Sequence, residues 1–178
     1  NNTMDFLPSF SEFSNKLKKN KNQIVYTKFS ADLDTPVSLM MKLAKEEKNS
    51  FLLESVTGGE IKGRYSVIGM KPDLIWKCNL EESEINRKVL EKSNNFIKQS
   101  NPPVSELKSL IKESYLQIPD NLPAMSAGLF GYLSYEMINF VKKISEIKKN
   151  DLNSPQSILF RPSIIIIIDN VKGEIITI

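Results

Sequence analysis

The chain has no histidine, one cysteine and one tryptophan among its 178 residues. Without histidine, neither a Ser-His-Asp nor a Cys-His arrangement can be assembled. A lone cysteine, Cys78, cannot close a disulfide within the chain, and one Cys without His cannot build a zinc site. A buried, inert thiol is the expected role for Cys78, and the composition fits a reducing cytosol. Long apolar runs are also missing. The longest, Ile164 to Ile168, falls far short of the ~20 residues that span a bilayer. No signal-peptide pattern is present, so a cytoplasmic location and no membrane partner are expected. Neither sign of charge predominates: 24 Lys and Arg stand against 21 Asp and Glu, the net charge is +3 and the pI about 8.8. A nucleic-acid binder would show a dense basic face. The one basic cluster, Lys16 to Lys21, reads as the solvated end of a helix, and no nucleic-acid partner is expected. Acidic residues are scattered without metal-ligand spacing, so neither a catalytic pair nor a metal site can be argued from them.

What is present is an alternation of short strand and helix patterns. At this length one domain is the natural expectation, and interspersed helices and antiparallel strand connections indicate an α+β fold, mostly antiparallel sheet with packed helices. Pro8 to Lys19 has Phe10, Phe13 and Leu17 at helical spacing behind a capping Ser9. Gln23 to Phe29 reads as a strand. Thr35-Pro36 starts a second helix, with Thr as cap and Pro in the first position, and Val37, Met40, Met41 and Ala44 as its expected buried stripe. Asp73 to Cys78 reads as a strand, Glu82 to Lys88 as a polar edge strand, and Val89 to Gln99 as weakly helical. Pro102-Pro103 breaks the pattern. Ser105 to Tyr115 reads as a helix with Leu107, Leu110, Ile111 and Tyr115 on one side. Met125 to Leu133 reads as a strand thinned by Gly128 and Gly131. A short helix over Glu136 to Ile144, a polar loop over Ser145 to Ser154 and a short helix or turn over Pro155 to Phe160 follow. Ser163 to Asp169 and Glu174 to Ile178 form a hairpin around Asn170 to Gly173. The last strand runs to the final residue, which suggests a piece of a longer chain.

The stretch Ser50 to Asp73 is the most informative. Phe51 to Val56 and Arg64 to Gly69 read as two strands joined by a glycine-rich loop, Thr57 to Gly63. That loop matches neither a P-loop nor a dinucleotide fingerprint, and no helix follows it. Phe51, Leu53 and Ser55 share one face of the first strand, and Leu52, Glu54 and Val56 the other. Both faces are mostly apolar, so the strand is expected to be largely buried. Glu54 and Ser55 then require partners, from the protein or from a ligand. One solution within the protein has Ser55 bonding neighbouring backbone and Glu54 pairing with Arg64 across the hairpin. The other is a ligand: Leu53, Glu54 and Ser55 provide an apolar contact, an acceptor and a hydroxyl within three residues.

Phe51-Leu52-Leu53-Glu54-Ser55 followed by Gly63-Arg64-Tyr65-Ser66 resembles the amino-terminal region of anthranilate synthase component I. Three further stretches agree in order: Asp34-Thr35-Pro36-Val37, Ala127 to Glu136, and Ser163 to Asp169. Ser134 and Glu136 stand where that family more often has Gly and Asp. The resemblance implies the N-terminal part of the chorismate-utilising two-domain fold, with residues 1–178 as a single N-terminal regulatory domain. The C-terminal chorismate-binding domain, its catalytic residues and its magnesium would lie outside this chain, which alone is expected to be inactive. The implied reaction converts chorismate and ammonia to anthranilate and pyruvate, with ammonia from a glutamine amidotransferase subunit, component II. The resemblance further implies L-tryptophan as feedback effector, contacting Ser55 with Glu54 and Leu53 beside it. Aminodeoxychorismate synthase component I is the related alternative. A stand-alone amino-acid-binding module without catalysis is the alternative from another class.

Overall fold

The two strands expected over Arg64–Gly69 and Asp73–Cys78 are one strand of 17 residues, β3 (Lys62–Cys78). Lys71 at φ 50° and the buried Pro72 interrupt its pleat without ending it, which is why the sequence reads as two runs. The structure is a computed structural model that describes residues 5–19, 21–31, 33–56, 62–79, 81–135, 137 and 155–178. Most of the glycine-rich loop, nearly all of the helix expected over Glu136 to Ile144 and the polar loop after it lie outside these residues. The chain forms two compact units: residues 1–71, 116–127 and 163–178 make one, and residues 72–115 and 128–162 the other.

The first unit holds α1 (Phe10–Lys18), β1 (Thr27–Ser30), α2 (Pro36–Ala44), β2 (Phe51–Val56), the first part of β3, the end of β7 (Ser157–Asp169) and β8 (Glu174–Thr177). Both helices begin as the sequence dictates. Ser9 and Glu12 form a capping box at α1, and Thr35 with Ser38 forms another at α2. Strand β8 pairs antiparallel with β1 and with β7, from Asp169↔Glu174 at the turn to Ile166↔Thr177. Strand β7 lies next to β3, and β2 pairs antiparallel with β3. Leu39 and Ala44 of α2 pack on Ile68 and Met70 of β3, Ile166 and Ile168 of β7, and Ile175 of β8. Ile165 and Ile167, which alternate to the opposite face, are buried too. An unbroken isoleucine run suits a strand covered on both sides. The buried stripe of α2 differs from the expected one. Val37 is 51% and Met41 66% exposed, while Pro36, Leu39 and Ala44 are buried and Met40 partly so. Two apolar ladders, 36/40/44 and 37/41, lie about 100° apart on a helix, and the sheet takes the first.

The second unit holds the rest of β3, β4 (Ser83–Asn86), β5 (Ile97–Lys98), α3 (Pro103–Glu113), β6 (Phe130–Leu133) and the start of β7. Strand β4 pairs with β3 on one side and β5 on the other, so it is not the edge strand expected. No helix forms over Val89 to Gln99. Asn86, fully buried, donates to the Lys92 and Ser93 carbonyls and accepts from the Lys88 amide, which folds the segment into turns. Pro103 opens α3 rather than breaking a pattern. Leu110 is its buried anchor, whereas Ile111 and Tyr115 are 56% and 77% exposed. The strand expected over Met125 to Leu133 is a 3-10 turn, Ala124–Ser126, followed by β6, and β7 begins at Ser157 where a helix or turn was expected. Trp76 and Cys78 lie in the core with Leu74, Ile85, Leu110 and Leu159. The Trp76 indole N–H donates to Gln99 Oε1 at 2.9 Å. Cys78 is buried as expected, and burial pushes its thiol pKa up, only partly countered by a hydrogen bond with Ser157.

Candidate functional site

The candidate residues Leu53, Glu54 and Ser55 lie at the end of β2, and they are exposed. Leu53 retains 46% of its surface, and Glu54 and Ser55 are exposed too, against the expectation of a largely buried strand. The cause is position. Among the described residues β2 pairs with β3 alone, so its outer edge is uncovered, and burial is only partial even at Phe51 and Leu52. By the two-residue alternation of a strand, Leu53 and Ser55 share one face and Glu54 turns to the other. A ligand reaching all three would have to sit edge-on to β2.

The pairing is regular from Phe51↔Gly69 to Glu54↔Ser66 and resumes at Val56↔Lys62. Between those pairs Ser55 faces Gly63, Arg64 and Tyr65, so β3 bulges outward opposite a single residue of β2. The two sequence motifs thus meet at one point. Gly63 is needed there for space: a Cβ on it would lie 2.3 Å from both Cβ and Oγ of Ser55 and 2.4 Å from its carbonyl oxygen.

A bulge leaves ladder carbonyls without strand partners, and here the turn between β7 and β8 supplies them. The Asn170 amide N–H donates to the Arg64 carbonyl at 2.7 Å. Its side-chain Nδ2 donates to the Gly63 carbonyl at 3.0 Å and to Ser66 Oγ at 3.4 Å. Arg64 Nη2 lies 3.1 Å from Asp169 Oδ2, and its guanidinium sits 4.8 Å from the Tyr65 ring centroid. Glu54 is therefore not the partner of Arg64. It lies opposite Ser66, and Asp169 takes the arginine. Asp169, 3% exposed, also accepts from the Val171 and Lys172 amides, both at 3.1 Å. Burial alone would raise its carboxyl pKa. The Arg64 hydrogen bond and the two amides outweigh that effect and hold it below the usual carboxylate value.

The sequence singles out Ser55 and Gly63-Arg64-Tyr65 and reads Asn170 only as a turn residue, whereas the structure places Asn170 against the Gly63 and Arg64 carbonyls. The signal available was an Asp-Asn pair closing a hairpin. Its donors reach a segment more than a hundred residues earlier, and no local pattern shows that. Among the described residues no group of three or more His, Cys, Asp or Glu side chains could hold a metal ion. No helix among them is long and apolar enough to cross a membrane.

No protein-family model matches the chain. Anthranilate synthase component 1 of Cereibacter sphaeroides is 49% identical over 169 residues, which is 95% of this chain and 34% of that protein. The protein of the same name from Aquifex aeolicus is 30% identical over 161 residues, 90% of this chain and 32% of that one. The crystal structure of anthranilate synthase component I from Streptococcus pneumoniae TIGR4 superposes with a TM-score of 0.50 at 19% identity, covering 88% of this chain and 31% of that one. This last likeness speaks to the fold and agrees with the α+β, antiparallel reading. The chain spans about a third of the length of the curated relatives it matches. In sequence, the chain is thus similar along 90% or more of its own length to a part of proteins named anthranilate synthase component 1.

Proposed function

We propose that this chain is the N-terminal regulatory region of an anthranilate synthase component I and carries part of an L-tryptophan feedback site at Ser55. The whole polypeptide, in this reading, converts chorismate and ammonia to anthranilate and pyruvate in the cytoplasm. A glutamine amidotransferase subunit, component II, delivers the ammonia. Catalytic residues and magnesium belong to the remainder of the polypeptide, and residues 1–178 alone are without synthase activity.

The observation that carries the proposal is the seat of Ser55: the residue is exposed at the end of β2, and its Cβ, Oγ and carbonyl oxygen stand in close approach to Gly63. Tryptophan presents an ammonium, a carboxylate and an indole. A serine hydroxyl can donate to the carboxylate or accept from the ammonium, Glu54 can accept from the ammonium, and Leu53 offers apolar contact on the Ser55 face. Tryptophan inhibits by binding more tightly to a low-activity arrangement of the polypeptide than to the active one. The test is Ser55→Phe in the full polypeptide, assayed by anthranilate fluorescence with chorismate and ammonium. Sensitivity to tryptophan is expected to be lost. Full sensitivity in that variant would show the assignment to be wrong.

A further inference from the structure

The geometry points to the Asp169-Asn170 turn as the positioning element of the Ser55 effector site: it sets where Ser55 stands by holding the bulge opposite it. The inference rests on the tryptophan reading above. Three observations combine. First, Gly63 and Ser55 are in close approach: a Cβ at Gly63 would lie 2.3 Å from Ser55 Cβ and Oγ and 2.4 Å from its carbonyl oxygen, so the course of β3 at Gly63 limits where Ser55 can stand. Second, the bulge carrying Gly63 is gripped at consecutive carbonyls, Gly63 by the Asn170 side chain and Arg64 by the Asn170 amide. The Arg64 side chain is gripped in turn by Asp169. Third, the gripping turn is itself fixed. Asp169 Oδ1 accepts from the amides of Val171 and Lys172, and the Gly173 N–H returns to the Asp169 carbonyl at 2.9 Å, with Gly173 at φ 61°. Contacts therefore run from the turn through Gly63 to Ser55, all within the first unit.

A hydroxyl hydrogen bond works over a narrow range of separation, roughly 2.5–3.0 Å between oxygens. Releasing the bulge moves Ser55 relative to anything bound at it, although neither Asp169 nor Asn170 touches the effector. Asp169 and Asn170 are thus positioning residues.

The test uses the full natural polypeptide with chorismate and ammonium. The concentration of L-tryptophan that halves each variant's own uninhibited rate is measured, with tryptophan binding followed by calorimetry. Asn170→Ala is expected to raise that concentration about tenfold, the size expected for one lost hydrogen bond of typical strength. Asp73→Asn, which breaks the Asp73–Arg161 ion pair in the other unit, is expected to lower the melting temperature and keep wild-type sensitivity. Wild-type sensitivity in Asn170→Ala, with sensitivity lost in Ser55→Phe, overturns this inference and leaves the tryptophan reading standing. Equal shifts in Asn170→Ala and Asp73→Asn also overturn it, since general destabilisation then accounts for both. Full sensitivity in Ser55→Phe removes the tryptophan reading, and the inference with it. If Asn170→Ala does not fold, Arg64→Lys decides. That variant keeps the charge but loses the guanidinium fork to Asp169, and a wild-type value from it overturns the inference.

Discussion

A Gly63→Ala substitution places one methyl group where the structure has no room. The new Cβ would lie 2.3 Å from Ser55 Cβ and Oγ and 2.4 Å from the Ser55 carbonyl oxygen. A side-chain tip could swing away, but the carbonyl belongs to the backbone, so β2 and β3 must separate locally. Overpacking of this kind costs about 1–3 kcal/mol. In a chain of this size each kcal/mol lowers the melting temperature by about 2–4 °C, so a fall of about 2–12 °C is expected. Urea unfolding should show a lower midpoint with an unchanged slope, because the surface exposed on unfolding is the same. A second substitution, Ser55→Gly, removes two of the three close contacts and leaves the carbonyl. The double variant should then recover part of the loss, with a coupling of about 0.5–3 kcal/mol. Gly173 is the contrasting case. A Cβ there meets nothing within 4 Å, but φ is 61°. Gly173→Ala therefore costs about 1–2 kcal/mol from left-handed backbone alone, and Ser55→Gly should not relieve it. The reasoning fails if Gly63→Ala unfolds within about 0.5 kcal/mol of wild type, the range of ordinary surface substitutions.

Two further outcomes are expected. The Asp169 carboxyl is held below its ordinary value of 3.8, so the unfolded chain binds the proton more readily and stability rises with pH through that range. The advantage of wild type over Asp169→Asn should be full above about pH 5 and shrink as the pH falls through 3.8 toward the lowered value. Unfolding curves giving a gap that stays constant down to about pH 3 would contradict this. Cys78 is 2% exposed, and burial raises its thiol pKa, so a disulfide thiol reagent at mildly alkaline pH should not label native protein and should label one thiol per chain after denaturation. Labelling of native protein at the rate of a free thiol would refute the buried placement.

Local signals were read correctly where the physics is local. The Ser9 and Thr35 caps, the Pro36 start and the isoleucine hairpin each depend on neighbours within a few residues, and each appears in the structure. Errors arose where a distant contact decided the outcome. Val89 to Gln99 has helical spacing, yet the buried Asn86 amide takes the Lys92 and Ser93 carbonyls and holds that part of the segment in turns. Strand β2 looks buried from its composition, because an apolar strand at a sheet edge and one at its centre have the same sequence pattern. Glu54 looked like the partner of Arg64 because they stand on adjacent strands, but a two-residue change of register in the bulge puts Ser66 opposite Glu54.

The site shows why a short motif can be informative without being self-sufficient. Leu53-Glu54-Ser55 supplies the groups that face solvent, and an exposed edge strand alone would let them wander. What holds Ser55 comes from two other parts of the chain: a glycine that admits it and a turn that anchors the glycine. An exposed residue seated closely against a neighbouring strand suits a group meant to contact a ligand, because less motion remains to be lost on binding. The same arrangement predicts asymmetry between substitutions. On the proposed reading, changes at Ser55 alter the ligand contact itself, whereas changes at Gly63 or Asn170 alter where that contact stands. The first kind should change which ligands are accepted, and the second should weaken all of them together. Comparing L-tryptophan with ring-substituted tryptophans on Ser55→Ala and Asn170→Ala separates the two. Parallel losses are expected for Asn170→Ala, and a selective loss there would show that Asn170 meets the ligand directly.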